Sequence, residues 1–407
     1  MTPTAAELDA ADPLARHRDR FVGSESPLVY LDGNSLGRPL RVTASRLAAF
    51  VDDEWAGRLI RGWDESWFDL PLVLGDRIGR VCLGAAPGQV AVGDSTTVLL
   101  YKAMRAAAAL QEGTGRTEIV IDRDNFPTDR YVADGVAREC GLTLRWIEVD
   151  TAAGVTPELL TEAVGERTAL VALSHVAYRS AHLADGAELT RIAHDAGALV
   201  LWDLSHSVGS VPVALDAWGA DLAVGCSYKY LNGGPGSPAF VYVAARLLEG
   251  ERSAVQPIQG WMGAADPFLM GPTYAPTAGI RRMLSGTPPV VGMLAMQDML
   301  DLIEDVGMDA VRAKSRVLTG FAVERAAELL PEAALASPRD PDRRGGHVTF
   351  THPAMREVTA ELWRRDVIPD YRDPGGLRLG LSPLSTSFGE VERGLEVVRE
   401  VLDGLSG

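Results

Sequence analysis

Only three of the 39 Lys and Arg residues in this 407-residue chain are lysines: Lys102, Lys229 and Lys314. Arginine keeps its proton in proteins, whereas a desolvated lysine becomes a neutral amine that attacks carbonyls. Lys229 lies in Gly225-Cys-Ser-Tyr-Lys-Tyr-Leu-Asn-Gly-Gly-Pro-Gly236, after a strand-like run and before a glycine-rich turn that allows close approach to a ligand. It reads as a Schiff-base lysine, although a GC-rich genome would produce the same bias toward arginine. Asp203 follows the continuous apolar run 198–202 and stands at a strand's carboxyl end, where open α/β sheets collect ligands. An acid there, one strand before a reactive lysine, suits pyridoxal phosphate, because it keeps the pyridinium nitrogen protonated and the ring electron-accepting. Taken singly, Asp203 reads equally as a helix cap and His206 as a satisfied buried histidine. The pairing of Asp203 with Lys229 is the more specific signal. Val92-Gly-Asp-Ser-Thr-Thr97 precedes a helical pattern over 98–110. Thr96 and Thr97 therefore offer a phosphate site at a helix start, or ordinary capping.

The elements that must position these residues alternate along the chain. Strand patterns at 117–121, 143–149, 169–175, 198–203, 222–227 and 239–243 are separated by helical patterns such as 157–164 and 188–196. This predicts an α/β fold with a mostly parallel central sheet. Beyond about residue 295 the pattern changes to one long helix over 296–329, a Pro/Arg-rich loop at 337–344 and an α+β tail. The tail carries strands at 348–351, 367–371 and 377–381, and a last helix marked by Val391, Leu395, Val398 and Leu402. The expected organisation is a segment 1–50 joining the small domain, a large cofactor-binding domain 51–295 and a small C-terminal domain 296–407. No apolar run is long enough to span a bilayer, and the first residues lack the features of an export signal. Cys82, Cys140 and Cys226 read as reduced thiols in a cytoplasmic protein, not as a disulfide or metal framework. A net charge of −16 argues against nucleic acid or an anionic membrane as partner.

Six longer motifs occur in order along nearly the whole chain: Tyr30-Leu-Asp-Gly-Asn-Ser-Leu-Gly37, Asp124-Asn-Phe-Pro-Thr-Asp129, Leu201-Trp-Asp-Leu-Ser-His206, Ser227-Tyr-Lys-Tyr-Leu-Asn-Gly-Gly-Pro-Gly236, Gly260-Trp-Met-Gly263 and Ser285-Gly-Thr-Pro-Pro289. Together they resemble the motif series of kynureninases, in the aspartate aminotransferase superfamily. The resemblance implies a fold-type-I pyridoxal-phosphate enzyme, a homodimer with active sites at the subunit interface. It implies hydrolysis of L-kynurenine to anthranilate and L-alanine, within tryptophan catabolism and the supply of NAD biosynthesis. It assigns Lys229 to the cofactor linkage, Asp203 to the ring nitrogen, Phe126 to ring stacking with Asp129 beside it, and Ser174 to the ring oxygen. Thr96, Thr97, His206 and Tyr228 surround the phosphate, completed by Trp261 and by Thr287 of the partner subunit. Arg378 takes the substrate carboxylate, near Asn34 and Ser35, while Trp63, Gly286 and Thr287 form an aryl pocket favouring kynurenine over its 3-hydroxy derivative. Trp55 and Trp67 are expected to be core anchors. In the implied mechanism Lys229 removes the α-proton and Tyr228 relays protons during Cβ–Cγ cleavage.

Three positions depart from the family pattern: Ala264 replaces a histidine, Ala177 an asparagine and Leu99 an asparagine. They leave the cofactor set intact and put the substrate's identity in question. The alternative is a same-fold aminotransferase or desulfurase acting on another β-acyl amino acid. A desulfurase needs a nucleophilic cysteine on a late loop, and the last cysteine is Cys226. A catalytically dead scaffold protein is disfavoured by the presence of Lys229, Asp203 and Arg378.

Overall fold

A computed structural model describes residues 3–250 and 253–406. Met1, Thr2 and Gly407, the ends of the expected terminal segments, lie outside the described residues, as do Glu251 and Arg252. Strand β1 (Val29–Tyr30) is followed by β2 (Val90–Gly93), β3 (Glu118–Asp122), β4 (Thr143–Ile147) and β5 (Thr168–Ser174). Next come β6 (Leu199–Asp203), β7 (Leu222–Gly225) and β8 (Ala239–Val243). Strands β2 to β8 form one sheet in the order β2-β8-β7-β6-β5-β3-β4. From β7 to β4 all pairs are parallel, while β8 runs antiparallel to both β7 and β2. The expected α/β class with a mostly parallel sheet is therefore observed. The six expected strands are all present with ends shifted by at most two residues, and β2 was not anticipated.

Side chains alternate across this sheet. Val120, Val171, Val200, Trp202 and Phe240 enter one core, and Ile119, Ile121, Leu170, Leu201 and Val224 enter another. Both faces are buried, so the strands read as unbroken apolar runs. Trp202 is fully buried and its indole N–H donates to Thr190 Oγ1 at 3.1 Å. Truncating such a side chain to alanine costs about 3–5 kcal/mol.

The C-terminal part holds β9 (Ala334–Leu335), β10 (His347–Thr351), β11 (Val367–Ile368), β12 (Asp370–Arg372) and β13 (Gly376–Gly380). An antiparallel sheet of order β12-β13-β10-β9 packs Val348, Phe350, Leu377 and Leu379 against residues of the helices Met308–Leu329 and Phe388–Ser406. β11 instead pairs in parallel with β1. Val29 and Leu31 thereby join this smaller core, whereas Phe21 and Leu40 join a core of the large sheet.

Three expectations need correction. The helix expected over 296–329 is two helices, Leu294–Val306 and Met308–Leu329. They break at Gly307, whose φ of 84° is costly for any residue with a Cβ. The strand expected over 367–371 is split into β11 and β12 by Pro369, which has no N–H for a ladder, so the two pieces serve different sheets. Trp55 is no core anchor: it is 55% exposed, on the turn Phe50–Trp55 whose inward position is taken by Phe50. Trp67 is buried against that phenylalanine, as expected. Among the described residues, no helix is long and apolar enough to cross a membrane.

Candidate active site

A cavity of about 310 Å³ is lined by residues at the carboxyl ends of β5 and β6 and just beyond β7. β5 delivers Ser174 and β6 delivers Asp203, which are register partners. The chain leaving β6 contributes His206, and the chain leaving β7 contributes Tyr228 and Lys229. Thr96 and Thr97 are the first residues of the helix Thr96–Leu110, which begins two residues earlier than the sequence pattern suggested. Ser95 is its N-cap, with Oγ accepting from the Val98 N–H at 3.4 Å. The remaining backbone N–H groups of that turn and the helix dipole favour an anion. Phe126 caps the helix Pro127–Cys140, whose first turn turns Asp129 inward. Ser174 Oγ donates to Asn125 Oδ1 at 2.9 Å and so ties β5 to the Phe126 loop.

The electrostatics suit a reactive amine beside a proton-holding acid pair. Lys229 is 9% exposed, and burial lowers its proton affinity against the opposing pull of Cys226 and Asp203. Its Nζ lies 6.0 Å from the Phe126 ring centroid and 5.9 Å from that of Tyr228. Burial, and then the neighbouring Asp203, push the Asp129 carboxyl well above the usual range. Asp129 therefore keeps its proton and lies in hydrogen-bonding contact with Asp203, whose Oδ1 accepts from the Ser205 N–H at 2.8 Å. The Cys226 thiol and burial raise Tyr228, which keeps its hydroxyl proton. Burial holds His206 neutral.

The loop 32–37 lies against the lysine loop. Gly37 N–H donates to the Tyr228 carbonyl at 2.9 Å, and a Cβ on Gly37 would stand 2.4 Å from the Lys229 carbonyl oxygen. From this loop Ser35 Oγ accepts from Arg378 Nη2 at 3.0 Å, and the Asn34 amide oxygen, turned to accept, takes Nε at 3.0 Å. Arg378 Nη1 donates to the Tyr178 carbonyl at 2.6 Å, and Nη2 also pairs with Asp370. Asp370 and Arg378 are cross-strand register partners on β12 and β13. Four of the five guanidinium N–H groups are thus engaged within the chain.

Arg378, Asn34 and Ser35 are brought together but do not line the cavity; the Arg378 charge nevertheless bears on Lys229 and His206. Gly286 and Thr287 line a neighbouring cavity of about 450 Å³ that shares Ser95, Thr96 and Tyr228 with the first. Trp63 packs edge-on to Trp67 at 5.6 Å and Trp261 edge-on to Phe268 at 6.0 Å, both outside the cavity walls of this chain. Of the departures, Leu99 is a fully buried core residue, and Ala264 forms a bridge with Pro276 beside Trp261. Ala177 lines a small pocket with Asn125 and His182, whose Nδ2 and Nε2 lack partners.

Sequence reasoning did not assign roles to Tyr178, which meets Phe126 edge-on at 5.3 Å in the cavity wall, or to Asp370. An acid placed opposite Arg378 across a short hairpin was a findable signal for the latter. The cavity fits the pyridoxal phosphate expected from the sequence: hydroxyls at a helix N-terminus, an aromatic wall, a buried acid pair and a lysine all converge on it.

The aminotransferase class-V family profile matches residues 94–362. The chain is 42% identical to a kynureninase of Pseudomonas fluorescens, covering 97% of this chain and 94% of that protein. A kynureninase of Burkholderia pseudomallei is likewise 42% identical, over 98% of this chain and 95% of its own. Among solved structures, a cystine lyase C-DES mutant superimposes with a TM-score of 0.81 at 17% identity, covering 94% of this chain and 99% of that one. A cysteine desulfurase of Thermococcus onnurineus gives 0.80 at 20%, covering 96% and 98%. At such identities these two speak for the fold alone. Full-length similarity at the higher identity, together with the family profile, shows that the chain belongs to the aminotransferase class-V family and, within it, to the kynureninases.

Proposed function

We infer that the protein is a pyridoxal-phosphate-dependent hydrolase that cleaves the Cβ–Cγ bond of L-kynurenine, giving anthranilate and L-alanine. The observation that carries this reading is kynureninase similarity along 97% of a chain that gathers Lys229, Asp203, Asp129 and Phe126 around one cavity. Pyridoxal phosphate bound there supplies an electron sink for the pairs released at Cα and by Cβ–Cγ cleavage. Lys229 would hold the cofactor, and its desolvated Nζ suits it to take a proton from the substrate Cα. Asp203, with the protonated Asp129 carboxyl beside it, would keep a proton on the ring nitrogen. Thr96 and Thr97 would bind the phosphate at the helix start, with His206 and Tyr228 beside them, and Ser174 would serve the ring oxygen. The raised Tyr228 hydroxyl is a proton donor for the departing Cβ. Arg378 orients the substrate carboxylate with Asn34 and Ser35.

The reading extends to a homodimer in which Trp261, with Thr287 of the partner subunit, completes the cofactor side, and Trp63, Gly286 and Thr287 form the aryl pocket. The support is exposed apolar surface on the segments that carry these residues. Trp55, Leu59 and Ile60 precede Trp63, and Phe268, Leu269 and Met270 follow Trp261. We further propose the division into a segment 1–50, a large domain 51–295 and a small domain 296–407; residues 51–295 build most of the two large-sheet cores and residues 296–407 most of the third, while the helix Leu294–Val306, Val311 and Leu384 pack on the large sheet and residues 1–50 contribute to both sides. A role in tryptophan catabolism and the supply of NAD biosynthesis, in the cytoplasm, completes the reading; three unpaired cysteines fit a reducing compartment. A substituted kynurenine remains within it, because Ala264 and Ala177 lack the polar groups of the family pattern.

The deciding experiment incubates purified, cofactor-loaded protein with kynurenine, 3-hydroxykynurenine and ring-substituted analogues, and quantifies anthranilates and alanine by chromatography. Equimolar anthranilate and alanine are expected. Amino-group transfer or sulfur release from cysteine, without anthranilate from any analogue, would overturn the reading.

A further inference from the structure

Behind the cavity wall lies a polar cluster of which only His206 has a task in the reaction above. His206, Ser210, Tyr230 and His347 are all buried, and Tyr230 and His347 are fully so. The rings of His206 and His347 meet edge to face, with centroids 5.2 Å apart and planes at 77°. His347 is the first residue of β10, opposite Gly380 on β13, the strand that carries Arg378. Gly346 brings the hydroxyls to the same place: a Cβ there would stand 2.2 Å from Ser210 Oγ and 2.7 Å from the Tyr230 oxygen. Five buried polar atoms in this patch lack a well-formed hydrogen bond: His206 Nδ1, Ser210 Oγ, the Tyr230 hydroxyl and both ring nitrogens of His347, although the Tyr230 and Ser210 hydroxyls approach each other and His347 approaches the Tyr178 carbonyl.

Burying an imidazole without partners is costly, and a leucine would fill the same space without that cost. Buried polar atoms left without protein partners on neighbouring side chains are what an internal water satisfies, since such a water makes two to four hydrogen bonds. The charged groups bearing on the two rings are Lys229, Arg378 and Arg372, all cationic, and His347 also lies against the Tyr178 carbonyl that Arg378 holds. Both imidazoles therefore stay neutral. A neutral imidazole has one donor and one acceptor nitrogen, and the partner of one nitrogen decides what the other presents.

We propose that His347 is a positioning residue for His206. With the Ser210 and Tyr230 hydroxyls it encloses water bonded to His206 Nδ1, and this fixes the tautomer that His206 turns toward the cofactor cavity. His347 touches neither cofactor nor substrate. The inference rests on the reading of that cavity as the pyridoxal-phosphate site.

The test compares His347→Leu, His347→Gln and Tyr230→Phe in the full chain, with and without pyridoxal phosphate. Long-range ¹H–¹⁵N spectra of the imidazoles report the His206 tautomer directly. One tautomer is expected in the parent protein and in His347→Gln, whose amide both donates and accepts, and a mixed or inverted population in His347→Leu. Pyridoxal phosphate, titrated by fluorescence quenching, should bind His347→Leu about tenfold more weakly, the effect of losing one hydrogen bond to a buried group, and His347→Gln within about twofold of the parent. The pH midpoint of the cofactor absorbance band should move in His347→Leu and return in His347→Gln. If His347→Leu does not fold, Tyr230→Phe, which removes one hydroxyl and keeps the ring, must shift the same spectra. An unchanged His206 tautomer and absorbance midpoint in a folded His347→Leu or Tyr230→Phe variant would overturn the proposal. Borohydride labelling of Lys229 in the parent separates the two readings: without a label the cofactor reading itself fails, and with a label but an unmoved His206 only the role of His347 does.

Discussion

Replacing Arg378 by alanine removes a full positive charge and five N–H donors from a position 1% exposed. In the folded chain Nη1 serves the Tyr178 carbonyl, Nη2 serves Ser35 and Asp370, and Nε meets Asn34. One Nη1 donor is left over. A substrate carboxylate that grips Nη1 and Nη2 together must therefore displace Ser35 or Asp370 from Nη2. Two hydrogen bonds to a charged group are worth about 3–6 kcal/mol gross, and the displaced partner is subtracted from that. The net loss in Arg378→Ala should be about 2–4 kcal/mol, or roughly 30- to 700-fold in kcat/KM. Asp370 keeps its pairing with Arg372 at 2.9 Å, so the variant should still fold, as a thermal melt would verify. Steady-state release of anthranilate fluorescence measures the loss for kynurenine, 3-hydroxykynurenine and ring-substituted analogues. All share the carboxylate, so all should fall by the same factor while the cofactor stays bound. A loss below about threefold, or one that depends on the aryl substituent, would refute the assignment of Arg378 to the carboxylate.

Lys229→Ala should abolish turnover and leave pyridoxal phosphate reversibly bound; mass spectrometry after borohydride reduction of the parent should place the pyridoxyl group on Lys229, and a label on Lys102 or Lys314 would contradict it. Asp203→Asn should keep the fold and lose several orders of magnitude in rate, and a near-parental rate constant would remove the electron-sink role from this residue. Ala264→His should alter the ratio of specificity constants among kynurenine analogues without moving the cofactor absorbance, whereas an altered band with unchanged preference would show the reverse. Burial pushes the Asp122 carboxyl up to about 7, against about 3.9 in an unfolded chain. The folded form keeps a proton that the unfolded form loses, so this group costs stability as pH rises from about 4 to 7. Asp122→Asn should gain on the parent across that window by up to roughly 4 kcal/mol, and urea midpoints that differ equally at both ends would count against it.

Much of this protein was legible in the amino-acid order alone. Apolar runs such as 198–202 declare doubly buried strands, because helices on both faces of the sheet leave no polar side to encode. The Lys229 and Asp203 motifs are contiguous and sit at strand ends, so their place beside a ligand follows from the general geometry of α/β sheets. The short β2 and the antiparallel turn of β8 carried no such mark, since pairing direction depends on which strands are neighbours. Gly307 and Pro369 looked ordinary within apolar patterns, yet one breaks a helix and the other divides a strand between two sheets. Only the tertiary structure decided that Asp129 lies against Asp203, that Asp370 faces Arg378, and that the buried His206 and His347 rings meet edge to face. Local sequence encodes backbone preference and burial within a few residues. Which distant side chains share a proton or a cation is settled by strand order, register and the low dielectric that packing creates around them.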